Sequence, residues 1–168
     1  MKKAKLIIDG KEIEVEITQA QFDKLFPKKK TGYERVEDNA HYYYVDYEGQ
    51  VELELEGGHY TDKTAYTIAN YYSDKIVAKN NARADKLMRQ LRRFAVEHRE
   101  KEADWNDKHQ TKYAISYDRR TGTFILDASY YNRIIGTIYF DKASIAWDAI
   151  DTFKDELLWY FTEYKDSL

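Results

Sequence analysis

Apolar and polar residues alternate most regularly at the start of the chain. Leu6 and Ile8, then Ile13, Val15 and Ile17, alternate with polar positions around Asp9-Gly10, a pair that favours a tight hairpin turn. Thr18 and Gln21 stand at capping-box spacing, and Phe22, Leu25 and Phe26 give the next short helix one apolar face. Pro27 and the Lys28-Lys29-Lys30 run stop it. Residues 1–30 read as a hairpin–helix appendage, with the lysines as a solvated linker.

A second alternating run puts Val51, Leu53 and Leu55 on one side and Glu52, Glu54 and Glu56 on the other, the mark of a half-exposed antiparallel strand. Gly57-Gly58 breaks it, 59–65 reads as loop, and Tyr66 to Tyr72 reads as a third short strand. From Asp74 to Lys101 the period lengthens to that of a helix, with Ile76, Val77, Ala84, Leu87, Met88, Leu91, Phe94 and Ala95 as its core stripe. Further on, Tyr113, Ile115 and Tyr117 alternate before the loop Arg119-Arg120-Thr121-Gly122, and Phe124 to Ala128 and Ile134 to Phe140 read as strands. Asp141 is placed to cap a last helix in which Ile145, Ala149, Phe153, Leu157 and Phe161 recur every four residues.

These segments repeat. YYYVDYEGQVELE at 42–54 is matched by YAISYDRRTGTFIL at 113–126, and ANYYSDK at 69–75 by TIYFDK at 137–142. Each copy runs strand, polar turn with glycine, strand, aromatic step, long helix. The expectation is an α+β fold: antiparallel sheet with helices on one face, a first ββ(β)α unit at 33–101 and a second at 112–164, joined with the 1–30 appendage in one compact domain. The pattern leaves open whether the two copies share a sheet.

Composition narrows the chemistry. A chain of 168 residues, 43% hydrophobic and 15% aromatic, can bury a core. The 16 tyrosines suit half-buried strands and protein interfaces equally. The absence of cysteine excludes disulfides, thiolate nucleophiles and zinc–thiolate sites. No segment approaches the roughly 20 apolar residues of a membrane span, and no apolar leader follows MKKAKLIIDGKEIEVE, so a cytoplasmic location is expected. A net charge of −3 is too small for DNA mimicry by bulk charge.

His41, His59, His98 and His109 form no HExxH pair, and the stretch from His98 to His109, with Glu102, Asp104 and Asp107, reads as a solvated linker rather than a metal cluster. Phosphate-binding glycine loops and a GxSxG elbow are missing. Glu52, Glu54 and Glu56 are expected on one exposed strand face with no lysine beside them, which does not make a metal-dependent nuclease site. The expectation is a non-enzymatic protein without metal or cofactor.

The first long helix carries the sharpest charge asymmetry. Between Lys75 and Lys101 lie Lys79, Arg83, Lys86, Arg89, Arg92, Arg93 and Arg99, opposed only by Asp85, Glu97 and Glu100. Lys79, Arg83, Lys86 and Arg93 share one face, with Arg89 beside it, a row able to track a phosphate backbone or an acidic protein. The alternative is neutralisation by the acidic last helix, through Asp148, Asp151, Asp155 and Glu156. Strand tyrosines supply candidate contacts, foremost Tyr43, Tyr47 and Tyr130.

The strings YYYVDYEGQ, ANYYSDK and IYFDKASIAWDAIDTFKDELLWYF, behind a KLIIDGKEIEVEI hairpin, resemble small proteins of Firmicutes phages and prophages, a group that includes anti-CRISPR inhibitors. The resemblance spans most of 1–164 and rests on structural motifs. It implies a phage accessory protein in the cytoplasm of a bacterial host. Its implied partner is a host defence nuclease, most directly a type II CRISPR effector or its guide-RNA complex, bound stoichiometrically. A nucleic-acid-binding role in replication or packaging is the alternative, and a homodimer is compatible with either.

Overall fold

The structure is a computed structural model and describes residues 2–8, 10–26 and 29–165. Asp9 of the expected hairpin turn, and Pro27 and Lys28 of the expected helix stop, lie outside those residues. The chain divides into two compact units, Met1–Thr31 and Gly32–Leu168.

In the first unit, strands β1 (Lys2–Ile8) and β2 (Lys11–Ile17) pair antiparallel with Leu6 opposite Ile13. Helix α1 (Gln19–Leu25) starts from a closed capping box: Gln21 N–H donates to Thr18 Oγ1 at 3.2 Å, and Thr18 N–H to Gln21 Oε1 at 2.9 Å. None of its described side chains is buried, and Leu6, Ile13, Leu25 and Phe26 are exposed.

The second unit opens with strands β3 (His41–Val45) and β4 (Val51–Leu55), followed by helices α2 (Tyr60–Thr67) and α3 (Lys75–His98). Strands β5 (Lys112–Asp118), β6 (Thr123–Ser129) and β7 (Tyr139–Phe140) follow, then helices α4 (Ala143–Thr152) and α5 (Lys154–Thr162). The fold is α+β, and the two copies form two sheets, β3-β4 and β6-β5-β7.

Both hairpins turn and close alike. Asp46 Oδ1 accepts from Glu48 and Gln50 N–H, and Asp118 Oδ1 from Arg120 and Thr121 N–H. Gly49 and Gly122 then supply the left-handed residue, at φ 82° and 71°. The aromatic step returns to the outer edge of the first strand: Tyr72 bridges Tyr43, and Phe140 pairs with Tyr113. In each copy the long helix begins three residues later.

The core gathers Leu87 and Leu91 of α3, Phe140 of β7, Ile145, Ala146, Ala149 and Ile150 of α4, and Leu157 of α5. Several expectations are corrected. Residues 59–65 are not loop, nor 66–72 strand: Tyr60–Thr67 is helical, because Asp62 accepts the N–H of His59 and so satisfies a helix-start donor. Ile134–Ile138 stays out of the sheet, since β7 pairs only with Tyr113 and Ala114 of β5. Asp141 does not cap α4; its Oδ2 accepts the N–H groups of Glu100 and Lys101 past the end of α3. The last helix breaks at Phe153, where Thr152 Oγ1 donates back to Asp148 C=O. Ile76, assigned to the core stripe, is exposed on the first turn of α3.

Candidate functional site

A fully buried carboxylate of the second unit lies where β4 ends. Glu56, expected on an exposed glutamate face, has no solvent exposure (0%). The ladder runs on to Glu56, whose N–H donates to Ala40 C=O at 2.9 Å, so its side chain keeps to the Glu52–Glu54 side of the strand. On that side buried Tyr42 lies opposite Glu54, while Leu53 and Leu55 on the other side are exposed. Arg35 donates to both oxygens, from Nη2 to Oε1 at 2.8 Å and from Nε to Oε2 at 2.9 Å. Gly58 N–H and the Tyr71 hydroxyl supply the remaining donors, both at 2.9 Å. The Arg35 bonds foremost hold the Glu56 carboxyl down to about 2.

Asp62 is the neighbouring buried carboxylate. It accepts from the Tyr42 hydroxyl at 3.0 Å and from the N–H groups of Gly57 and His59 at 3.0 and 2.8 Å. Burial alone would raise its pKa, but these donors outweigh it and the net shift is downward. Both carboxylates thus have every oxygen committed to protein donors. Chemically the cluster is a clamp, fastening the 35–36 segment, the Gly57-Gly58 bend and α2 to Tyr42 and Tyr71.

The expected basic face is divided by the structure. Arg83 donates to Glu156 of α5 through Nε at 2.7 Å and Nη2 at 3.1 Å, and its guanidinium lies 4.0 Å from the Trp159 ring centre. Arg93 reaches Glu97 of its own helix at 3.8 Å. Lys86 lines a cleft with Asp151, Asp155 and Glu156. Arg89 stands over the β3–β4 turn, beside Gly49 and near Asp46 and Asp85. Lys79, Lys86 and Arg89 form no ion pair among the described residues. The acidic last helices therefore take up Arg83 and leave part of the row to solvent.

The tyrosines separate similarly. Tyr43 is half-buried against Tyr72, with Lys75 Nζ 5.8 Å over its ring. Tyr47 is 95% exposed at the β3–β4 turn. Tyr130 begins a loop in which Tyr130, Tyr131, Ile134 and Ile135 are all exposed, Ile135 fully, although Ile134 and Ile135 were expected in a strand. The loop is braced from within. Ile134 N–H donates to Tyr139 Oη at 3.0 Å, Tyr139 Oη to Asn132 C=O at 3.3 Å, and Ser129 Oγ to the same carbonyl at 2.7 Å. The buried Lys112 ammonium donates to Tyr130 C=O at 3.1 Å. Asn132 and Gly136, turn formers at either side of Ile134-Ile135, were the available sequence signal.

Among the described residues no group of three or more histidine, aspartate or glutamate side chains is placed to hold a metal ion. No described helix is long and apolar enough to cross a membrane. No family model, curated protein or solved structure matches the chain.

Proposed function

We propose that this chain is a non-enzymatic protein-binding module and that the β6–β7 loop is its principal contact. The observation that carries this reading is the loop tip: four large apolar or aromatic side chains within six residues, exposed together on a braced turn. Such a patch costs solubility unless a partner covers it, and internal bracing lowers the entropy lost on docking. Commitment of both buried carboxylates to internal hydrogen bonds favours binding over catalysis.

Read with the phage-protein resemblance, the partner is a host defence nuclease, a type II CRISPR effector bound stoichiometrically and with or without its guide RNA. The test is a dose-response of target cleavage by a purified effector–guide complex, with this protein added before or after DNA. Inhibition saturating near one equivalent supports the reading; no inhibition across a panel of such effectors overturns it for that class.

A nucleic-acid-binding role is the second reading, favoured by Lys79, Lys86 and Arg89, which form no ion pair among the described residues. It predicts affinity for DNA or RNA alone, falling steeply with salt.

A further inference from the structure

Behind the loop tip, at the C-terminal end of α3, lies an open cleft of about 530 Å3. Arg92, near the end of α3, and Arg99, the first residue past that helix, line it from one side; Arg133, from the β6–β7 loop, also lines it. Arg99 is held by Glu102 at 2.9 Å. The Arg92 and Arg133 side chains make no hydrogen bond or ion pair among the described residues. Three guanidiniums facing one carboxylate make this a local excess of positive charge on a chain whose net charge is −3.

The cleft also has an apolar floor. Val96 is 57% exposed between the arginines, and Trp105 and Tyr139 pack edge to face at 4.9 Å beside it. We propose that this cleft binds an acidic protein segment that carries an apolar side chain, the carboxylates meeting Arg92 and Arg133 and the apolar group covering Val96. Arginine pairs with carboxylates through two parallel hydrogen bonds, and Arg92 and Arg133 are free to do so. A nucleic-acid strand fits less well. Base stacking needs an open ring face, and Trp105 already has the Lys112 ammonium 5.1 Å over its ring and Tyr139 against it.

The inference rests on the protein-binding reading and gives the partner a chemistry: acidic residues spaced around an apolar anchor. Arg133 joins the two surfaces, because it lies between Tyr131 and Ile134 of the exposed tip.

The test is titration of the 15N-labelled full chain with a synthetic acetylated peptide of glutamates flanking one leucine and one phenylalanine. A lysine-substituted peptide and an oligothymidylate serve as comparison ligands. Binding predicts saturable shifts at Val96, Arg133, Ile138 and the Trp105 indole N–H, weakened by salt. The double variant Arg92→Glu/Arg133→Glu, altered only at exposed positions, retains a dispersed spectrum and loses at least tenfold in affinity. The proposal is overturned if millimolar acidic peptide moves no cleft resonance, if the double variant binds as well as the parent, or if only the oligothymidylate shifts these groups. Effector inhibition that survives in the double variant sinks this cleft and leaves the protein-binding reading standing. Cleft shifts with acidic peptide, without inhibition of any effector, support the cleft and remove only the choice of nuclease as partner.

Discussion

The rings of Tyr42 and Tyr71 stack 4.0 Å apart at 12°, and their hydroxyls end on two different buried carboxylates, Asp62 and Glu56. One aromatic pair thus fixes both carboxylates at once, and Arg35 closes the cluster from the chain segment before β3. Removing Glu56 leaves the buried Tyr71 hydroxyl and the Gly58 N–H without their acceptor, while Arg35, 38% exposed, can turn to solvent. Glu56→Ala is therefore expected to cost about 2 kcal/mol, the range for leaving buried donors unsatisfied. Tyr71→Phe removes two bonds, to Glu56 and from Val36 N–H, and is expected to cost about 1–2 kcal/mol. Urea unfolding of the two variants checks both; a loss below 0.5 kcal/mol, roughly the scatter of surface changes, would contradict the clamp.

The same cluster sets the pH limits of stability. The Glu56 carboxyl titrates at about 2 in the folded chain against an ordinary 4.5. As pH falls, the unfolded chain takes up this proton first, so the contribution is complete above 4.5 and is lost toward 2. Asp62 shifts in the same direction. On the alkaline side, burial first, and then the bond to Glu56, push Tyr71 from 10 up to about 12. The unfolded chain releases that proton first, so stability present below 10 is lost toward 12. Unfolding midpoints measured across both ranges should show two falling limbs, the acid one shallower in Glu56→Gln and the alkaline one in Tyr71→Phe.

Helix α2 ends on a residue that favours a different side chain. Asn70 N–H bonds Ala65 C=O at 2.9 Å and Ala69 N–H bonds Tyr66 C=O at 3.2 Å, the paired closure in which glycine usually takes the left-handed position. Ala69 occupies it at φ 57°. Relief of the left-handed strain exceeds the added freedom of the unfolded chain, so Ala69→Gly is expected to stabilise by about 0.5–1 kcal/mol. A rise in thermal midpoint checks it.

Arg83 tests how much of the basic row serves the fold. Both partners of the Arg83–Glu156 pair are about two-fifths exposed, so a double-mutant cycle is expected to give about 0.5–1 kcal/mol. Stacking on Trp159 persists without Glu156, so Arg83→Ala should cost more than Glu156→Ala. Equal costs would mean that the ring contact contributes nothing.

The exposed tip separates function from stability. Ile134→Ser together with Ile135→Ser touches no core residue, and unfolding free energy should change by less than about 0.5 kcal/mol. Stoichiometric inhibition of the effector should fall at least tenfold. If the parent chain is a dimer through this tip, sedimentation will instead show the variant alone as monomer.

The two hairpins were legible because their information is local: alternation, a turn aspartate and a left-handed glycine within a dozen residues. Helix α3 was legible for the same reason, through its period and Asp74, which accepts from Ile76 and Val77 N–H. Helix α2 was not, because its tyrosines and threonines favour strand, while its start depends on Asp62 and thus on Tyr42, 20 residues earlier. Glu56 misled in the same way. A row of alternating glutamates reads as an outward face, and only Arg35, 21 residues before Glu56, and Tyr71, 15 residues after it, cover the end of that face. Capture of Arg83 by Glu156 was one of two alternatives the charge pattern allowed. Grouping Arg92 with Arg133 and Trp105 was beyond sequence, since the whole second hairpin separates the two arginines.

Between hairpin and closing aromatic pair the two copies diverge, the first holding α2 and the second the braced loop, while in each the aromatic step returns to pair with the first strand of its hairpin. That interval behaves as a cassette. Its contents can be exchanged without disturbing the register that Tyr72 and Phe140 lock, so the surface shown to a partner is free to change faster than the scaffold that carries it.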